Sequence, residues 1–519
     1  KNKEQADAPC ASRSKRSPTM LARTIPLCRR YLRRAKALGA GCGGSLVTTR
    51  DHPWRPTGTA AGVLRRGLSS LPQVAVEGVE VTTDTMLKPF TSPSSHPLPS
   101  TTNSVPLTAF DVANYNCHVA ILYAFQAPVP DAATLRDSLA KALSYFPHLA
   151  GRFVPDSHGH PHIVLNGAGI RLKEAVAVTT LADHLPLDAA SNLGNLHPHP
   201  AEGVETMVQV QLTRFACGGL ALGLTSHHWI ADGGSMCHFL FTWARLARGL
   251  DPGLLPSFDR SALLAARNPP RPEFDHLGVE FRPRVVDAPP PSIGNILASL
   301  SRMRNLEVHF SKDFIAQLKG KVTGGDPDRR ASTFLSVLTH SWKKVTLARG
   351  LADDELTRVR IAVNGRQRVS PPVPDEFFGN MVLWAFPEMP AGELLRASYG
   401  EVGRVIREAV GKVDERYLRS FVDFGDGLVK GEVQAEGNMP GVGDFLTPDL
   451  EFNSWLSLRF HELDFGGGPP CGFLPPGLPV EGLSILMPSC GAKVGGVTLY
   501  TVLDKDHAAT FQQVSHSLE

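Results

Sequence analysis

The chain has 519 residues, of which 42% are hydrophobic and 20% are charged, an ordinary globular balance with enough length for two or three domains. No stretch approaches the ~18 uninterrupted apolar residues of a membrane-spanning helix, so we expect neither a membrane span nor a membrane partner. The eight cysteines are scattered without a C-x-x-C pair, which favours reduced thiols in a cytoplasmic protein over a disulfide framework.

The net charge of +3 conceals a basic segment at the start of the chain. Residues 1–75 contain 15 basic and 3 acidic residues, whereas the remainder contains 38 basic and 47 acidic ones. This composition is typical of an organelle presequence. A nucleic-acid-binding arm and sequence that is not translated are alternatives, since the first methionine is Met20. Stacking aromatic residues are scarce there, so we predict a disordered extension without a role in the chemistry and no nucleic-acid partner.

The remaining residues alternate between strand and helix patterns, which favours an α/β fold. In the first half we predict a helix that is capped by Asp131 and ends at Pro147, and strands near 79–83, 118–125, 204–215 and 220–225. In the second half we predict helices at 312–320, 332–349 and 393–413, and strands near 305–310, 358–363, 483–487 and 495–503.

A stretch dense in proline and arginine, 251–295, separates these two halves. The run Pro289-Pro290-Pro291 interrupts any regular element, because proline lacks a backbone donor and has a fixed φ. We therefore predict one domain over 76–286, a crossover linker over 287–304 and a second domain over 305–519.

The most informative segment, 226–235, reads Ser-His-His-Trp-Ile-Ala-Asp-Gly-Gly-Ser and contains the pattern H-x-x-x-D-G through His228 and Asp232. Alternating leucines before it predict a buried strand, and apolar spacing after it predicts a helix. His228 therefore lies where a strand ends and a helix begins, and rigid elements can position a reactive group there. The pattern alone also occurs by chance, with the histidine as an ordinary satisfied polar residue.

A second motif, D-F-G-G-G, occupies residues 464–468. Together, the two motifs resemble those of the plant BAHD family of CoA-dependent acyltransferases. That family usually has Trp where this chain has Gly467, and the departure resembles the branch that transfers hydroxycinnamoyl groups to amines such as agmatine and tryptamine. Shorter segments that add to the resemblance, in the family's order, are 105–111, 259–270, 332–334, 362–366 and 378–380.

This resemblance implies two similar-sized mixed-sheet domains, as in chloramphenicol acetyltransferase, with a channel between them. It also implies a monomer that forms phenolamides in plant secondary metabolism, moving a hydroxycinnamoyl or related aromatic acyl group from CoA to an amine. Acyl-CoA is then a co-substrate and no cofactor is bound. His228 would act as general base, since neutral imidazole accepts a proton near pH 7. Transfer to an alcohol of the shikimate or quinate type is the alternative.

The resemblance gives the two motif aspartates structural roles. Asp232 is expected to turn away from the reaction centre and pair with an arginine, although a direct His-Asp dyad is the alternative. Asp464 is expected to pair with Arg366. Gly467, in place of the larger residue, should loosen the packing around it.

Four further residues match positions that the family uses around its substrates. Trp455 is expected to stabilise the oxyanion through its indole N–H, with a core tryptophan as the alternative. Ser332, Thr333 and Asn380 are expected to line the CoA tunnel. An ordinary helix start explains Ser332 and Thr333 equally well.

The acceptor site is predicted from charge. Segment 423–451 holds seven acidic residues against the single base Lys430, and an anionic pocket favours a cationic acceptor. Glu451 lies four residues before Trp455, so we expect it to bind the amine. The alternative is that these acids simply solvate a surface loop.

Histidine-rich segments offer a different class of function, a non-catalytic metal-binding protein. They contain His158, His160 and His162, and later His197 and His199. Neighbouring glycine and proline residues mark loops, and no cysteine or carboxylate set completes four ligands. We therefore expect no metal site.

Overall fold

The structure is a computed structural model that describes residues 78–91, 104–155, 160–188, 193–198, 205–260, 265–284, 292–326 and 330–519. The predicted extension over 1–75 and the first residues of the predicted linker lie outside this part of the chain. Among the described helices, none combines the length and apolar character needed to cross a membrane.

The strands of the described chain run in sequence from residue 79 to residue 504. They are β1 Val79–Leu87, β2 Ser104–Pro106, β3 His118–Phe125, β4 Arg152–Pro155, β5 Pro161–Val164, β6 Ile170–Ala177, β7 Val208–Phe215, β8 Leu220–His227, β9 Phe281–Pro283, β10 Met303–Phe310, β11 Leu356–Asn364, β12 Val382–Ala385, β13 Glu388–Pro390, β14 Ala435–Gly437, β15 Leu450–Ser454, β16 Gly472–Leu474, β17 Leu483–Pro488 and β18 Val497–Asp504.

The helices lie between these strands and at the C-terminus. They are α1 Ala109–Val112, α2 Ala132–Tyr145, α3 Gly233–Ala247, α4 Ile293–Arg302, α5 Lys312–Thr323, α6 Thr333–Arg349, α7 Ala391–Arg396, α8 Tyr399–Gly411, α9 Glu415–Val429 and α10 Lys505–Val514.

Two large mixed sheets organise the described residues. The first has six strands in the order β1-β6-β7-β8-β3-β16, and the second has the order β10-β18-β17-β15-β11-β12 with β13 on β11. In the first sheet β6 and β7 run parallel, and in the second β15 runs parallel to both β17 and β11. This architecture confirms the predicted mixed α/β fold.

The first sheet supports the helix that follows the H-x-x-x-D-G motif. β8 is buried along nearly its whole length, as its alternating leucines predict. The helix α3 packs against α2, where the Trp243 indole donates to the Leu135 carbonyl at 3.0 Å and to the Ser138 hydroxyl at 3.1 Å. The predicted helix that is capped by Asp131 is confirmed, since the Asp131 carboxylate accepts from the Thr134 amide at the start of α2. A rigid scaffold therefore holds both ends of the motif.

Two predicted segments differ from the structure in detail. The linker over 287–304 contains α4, capped by Ser292, and its end lies inside β10. The single helix over 393–413 is two helices, because Ser398 forms a capping box that starts α8 afresh. The acidic segment 423–451, for which a solvated surface loop was the alternative interpretation, begins inside α9.

The division at residue 305 does not divide the sheets. β16, from near the C-terminus, pairs antiparallel with β3 and so joins the first sheet. Chain from the second half thus completes a sheet that is built mainly from the first half, and a purely sequential domain boundary does not describe the fold.

Candidate active site

His228 lies one residue beyond β8, in the turn that leads into α3. Its backbone is held on both sides: the amide donates to the Cys117 carbonyl at 3.0 Å, and the carbonyl accepts from Asn380 Nδ2 at 3.0 Å. The turn is therefore tied to the chain before β3 and to the chain before β12. Such anchoring fixes the backbone from which the ring projects.

The His228 ring is a neutral base at physiological pH. Burial lowers its pKa from the ordinary value of 6.5, while Asp232, the ring's own backbone carbonyl, Asn380 and Asp111 oppose that shift. Nδ1 is buried and makes no hydrogen bond of normal geometry, although the residue as a whole is partly exposed. We infer that Nε2 is the nitrogen that a substrate reaches. Neutral imidazole with an open nitrogen can take a proton.

His227 is not a second base. Its ring packs edge-on against His118, Phe153 and Trp229, with centroid distances of 5.0, 4.9 and 5.7 Å. Nδ1 accepts from the Trp229 amide at 3.2 Å, and burial holds the pKa of the ring well below its usual value. His227 therefore belongs to the packing of the turn.

Asp232 caps α3, and its carboxylate accepts four hydrogen bonds, none of which comes from His228. Its carboxylate accepts from Arg366 at 2.7 and 3.1 Å, and from the amides of Ser235 at 3.1 Å and Met381 at 3.0 Å. The residue is 3% exposed, and Arg366 and these amides hold its pKa below the usual range. This geometry favours a structural role over a catalytic dyad.

Asn380 is buried between the turn at His228 and Asp111. It is 2% exposed, and its amide donates to the His228 carbonyl and, at 2.9 Å, to Asp111. Arg260 pairs with the other oxygen of Asp111 at 2.8 Å. These hydrogen bonds show that Asn380 supports the turn at His228. A role for Asn380 in the CoA tunnel stays a prediction.

Asp111 and Arg260 are therefore residues of the site that neither the charge pattern nor the motif spacing predicted. The resemblance could have indicated them, because they lie in the segments 105–111 and 259–270 that resemble family markers. What the sequence could not show is that these segments meet at one buried carboxylate behind His228.

The predicted pair between Asp464 and Arg366 is wrong. Asp464 instead lies 3.6 Å from Arg248, at the C-terminal end of α3, and its Oδ1 accepts from the amides of Gly466 and Gly468. Arg366 is already held by Asp232. Two separate arginine–aspartate pairs thus fasten the two ends of α3.

Gly467 is tightly packed, so the prediction of looser packing is also wrong. A Cβ atom at this position would collide with the carbonyl oxygen of Pro128. Phe465, two residues earlier, packs edge-on against Phe125 and Trp243, at 5.5 and 4.9 Å between ring centroids. The D-F-G-G-G loop therefore lies directly on the first sheet and α3, with no room for a larger residue.

Trp455 lies just after β15, in a turn that reaches the start of α3. Its amide donates to the Leu486 carbonyl at 2.8 Å, and its ring packs edge-on against Phe460 at 5.4 Å. Three residues later, Leu458 covers Gly233, where a Cβ would come within 2.7 Å of it. The turn that carries Trp455 thus approaches the residues that follow His228.

Ser332 and Thr333 begin α6. The Ser332 hydroxyl accepts from the Leu335 amide at 3.1 Å as the helix N-cap, while Thr333 is partly buried as the first helical residue. The capping bond explains Ser332 as an ordinary helix start. A role for either residue in the CoA tunnel stays a prediction.

Glu451 is fully buried in β15, and its carboxylate already has protein partners. It accepts from the Tyr115 hydroxyl at 2.8 Å and from Asn453 at 3.0 Å, and lies 3.5 Å from Arg360. The Tyr115 ring lies 6.1 Å from the His228 ring. Glu451 therefore reaches the surroundings of His228 through Tyr115, but not as a free carboxylate.

Within the described ranges, no group of three or more His, Cys, Asp and Glu side chains could hold a metal ion. His158 and His199 fall outside those ranges. His160 lies just before β5, His162 lies within β5, and His197 is buried.

Comparisons with known proteins identify the family of the chain. The Transferase family model matches residues 78–518. Tryptamine hydroxycinnamoyltransferase 2 of Oryza sativa subsp. japonica is 45% identical over 417 residues, which cover 80% of this chain and 93% of that protein. Agmatine hydroxycinnamoyltransferase 1 of the same organism is 38% identical, over 81% of this chain and 94% of that protein.

Experimentally determined structures share this fold. The crystal structure of vinorine synthase superposes with a TM-score of 0.63 at 22% identity, covering 83% of this chain and 96% of that one. The fold and the site thus define a CoA-dependent acyltransferase of the chloramphenicol-acetyltransferase-like type. The chain belongs to the Transferase family, the BAHD acyltransferases.

Proposed function

We propose that this enzyme transfers a hydroxycinnamoyl or related aromatic acyl group from CoA to an amine, with His228 as general base. The observation that carries the proposal is a partly exposed imidazole whose pKa is lowered by burial, held by its backbone at the junction of β8 and α3. The similarity to tryptamine and agmatine hydroxycinnamoyltransferases supports an amine acceptor over an alcohol.

The proposed reaction is direct and needs no acyl-enzyme. The amine nitrogen attacks the thioester carbonyl while His228 Nε2 removes a proton from that nitrogen. The tetrahedral intermediate then collapses, the carbon–sulfur bond breaks, and the imidazolium returns the proton to the departing CoA thiolate. General-base assistance of this kind contributes about 10²–10⁴ in rate.

Trp455 is proposed to stabilise the oxyanion of that intermediate through its indole N–H, a donor with no acceptor role. The turn that carries Trp455 packs on Gly233, which supports this placement. Ser332 and Thr333 are proposed to contact acyl-CoA from the start of α6, where backbone amides favour anionic groups.

The acceptor is proposed to bind between His228 and the Tyr115–Glu451 pair. Tyr115 is a hydrogen-bond donor to Glu451 and a ring neighbour of His228. Burial and the adjacent Glu451 carboxylate raise the pKa of the phenol well above its usual value, so Tyr115 stays protonated and keeps donating. Glu451 thus helps to shape the acceptor site. The enzyme is also proposed to act as a cytoplasmic monomer.

A matrix of purified enzyme with acyl-CoAs and acceptors tests the function. p-Coumaroyl-, feruloyl-, benzoyl- and acetyl-CoA are each combined with agmatine, tryptamine, tyramine, putrescine, spermidine and shikimate, and thiol release is followed. Amide formation with an aromatic acyl-CoA is expected, with product mass confirming one acyl group per amine. Transfer to shikimate without transfer to any amine would instead establish an O-acyltransferase.

A further inference from the structure

A partly buried arginine faces the Glu451 carboxylate from the neighbouring strand. The parallel register of β11 and β15 sets Arg360 directly beside Glu451, and their charged groups lie 3.5 Å apart. Arg360 is further held by the Asn438 carbonyl at 2.7 Å, and its guanidinium lies over the rings of Trp384 and Phe386 at 5.6 and 5.8 Å. Arg360 is thus fixed in place.

These side chains project from one face of the second sheet. Residues two apart on a strand point the same way, so Arg360 and Ala362 share a face, as do Glu451 and Asn453. Trp384 pairs with Ala362 and therefore lies on that face too. Tyr115 closes the cluster from the His228 side.

Two polar atoms of this cluster are buried without a partner. The Trp384 indole nitrogen and the Asn453 amide oxygen make no hydrogen bond, and Trp384 is 4% exposed. An unmatched donor and an unmatched acceptor, in a cluster that Tyr115 links to the surroundings of His228, are complementary to a bound ligand that carries its own polar group.

We propose that Arg360 sets the acceptor preference of this enzyme by neutralising Glu451, so that it selects arylalkylamines with a ring N–H or O–H over amines with a second positive charge. This inference rests on the proposed amine acyltransfer.

The selection follows from charge balance. With Tyr115, Asn453 and Arg360 around it, Glu451 has no unpaired charge left for a guanidinium or a second ammonium. Bringing such a group beside Arg360 would leave a buried cation without a counter-ion, which is unfavourable. An aromatic ring, by contrast, fits the apolar surface of Trp384 and Phe386, and its N–H or O–H can meet Asn453 or Trp384.

The test compares kcat/KM for tryptamine and agmatine with one aromatic acyl-CoA. Wild type is expected to prefer tryptamine. Arg360→Met releases the Glu451 charge and should shift the tryptamine-to-agmatine ratio towards agmatine by roughly ten- to a hundredfold, the range of a charged hydrogen bond. The double variant Arg360→Met/Glu451→Gln has neither charge and should return the ratio to near that of wild type.

A second test variant, Glu451→Gln, covers the case in which Arg360→Met does not fold, and Arg302→Met is the control. Glu451→Gln leaves Arg360 unopposed, and so should disfavour agmatine beyond the wild-type ratio. Arg302→Met removes an arginine from a remote pair with Asp504 and should leave the ratio unchanged.

The outcomes separate the inference from the proposed function. Wild type that acylates no amine overturns the proposed function and the inference with it. Wild type that acylates amines but prefers agmatine overturns the inference alone. So does a ratio that moves neither in Arg360→Met nor in Glu451→Gln. Opposite shifts in these two variants, with Arg302→Met unchanged, support it.

Discussion

Asp232→Asn should destabilise the enzyme by an amount that the contacts of Asp232 allow us to estimate. The side chain is 3% exposed and accepts four hydrogen bonds, two of them from Arg366. An asparagine oxygen can still cap α3, because Asn and Asp are nearly equivalent caps. The charge is lost, however, and the new NH₂ group must face another donor. Breaking a buried pair in this way costs about 3–5 kcal/mol in the free energy of unfolding.

Asp232→Ala provides the comparison, since it loses the helix cap as well as the ion pair. Its free energy of unfolding should fall by about 1 kcal/mol more than that of Asp232→Asn. Both values come from chemical unfolding followed by tryptophan fluorescence. Asp506→Asn is the control, because its 61%-exposed side chain also pairs with an arginine, and exposed pairs contribute only about 0–1 kcal/mol.

Kinetics decide whether Asp232 acts on the reaction itself. The preference among acceptors should be the same in Asp232→Asn as in wild type, because no contact of the carboxylate leads towards the acceptor. A variant with unchanged unfolding free energy but no turnover would refute the structural role, and would show that Asp232 acts directly on His228.

Three further predictions concern the catalytic turn and the loop beneath it. His228→Ala should lower kcat at least about a hundredfold while leaving the unfolding midpoint near that of wild type, and turnover above that level would exclude the general base. kcat/KM for acyl-CoA, measured at saturating amine, should decrease at acid pH with an apparent pKa below 6.5. The reason is that burial disfavours protonation of His228 and only the neutral ring is active. An acid-side apparent pKa above 6.5 would contradict this prediction. Gly467→Ala should lower the melting temperature, since its Cβ collides with Pro128, whereas Gly411→Ala, at an open helical position, serves as the control.

Local patterns in the sequence predict those elements whose signal is complete within a few residues. The leucine alternation of β8 and the cap at Asp131 are of this kind, and both are confirmed. α9 is missing from the predicted elements, because its many polar residues obscure the apolar side on which Leu418, Phe421 and Leu428 are buried. The break before α8 depends on one capping serine, which a long helical pattern obscures.

The same distinction between local and long-range signals applies to the residues of the site. The position of His228 follows from its neighbours, whereas the partners of the charged residues depend on register between distant strands. Only the parallel alignment of β11 and β15 brings Arg360 beside Glu451, so a count of charges along segment 423–451 misses the cation that balances it. The choice of arginine for Asp464 was wrong for the same reason, since it depends on where α3 ends.

The return of β16 to the first sheet has a consequence for how the protein is made. During synthesis, β8 and β3 are available early, but residues Leu122, Tyr123 and Ala124 of β3 have no partner on their other side until residues 472–474 leave the ribosome. For most of that interval the nascent chain presents an open strand edge of apolar residues, which can pair with another chain. An N-terminal half produced alone would keep that edge permanently, so we expect separately expressed halves to aggregate unless they are made together.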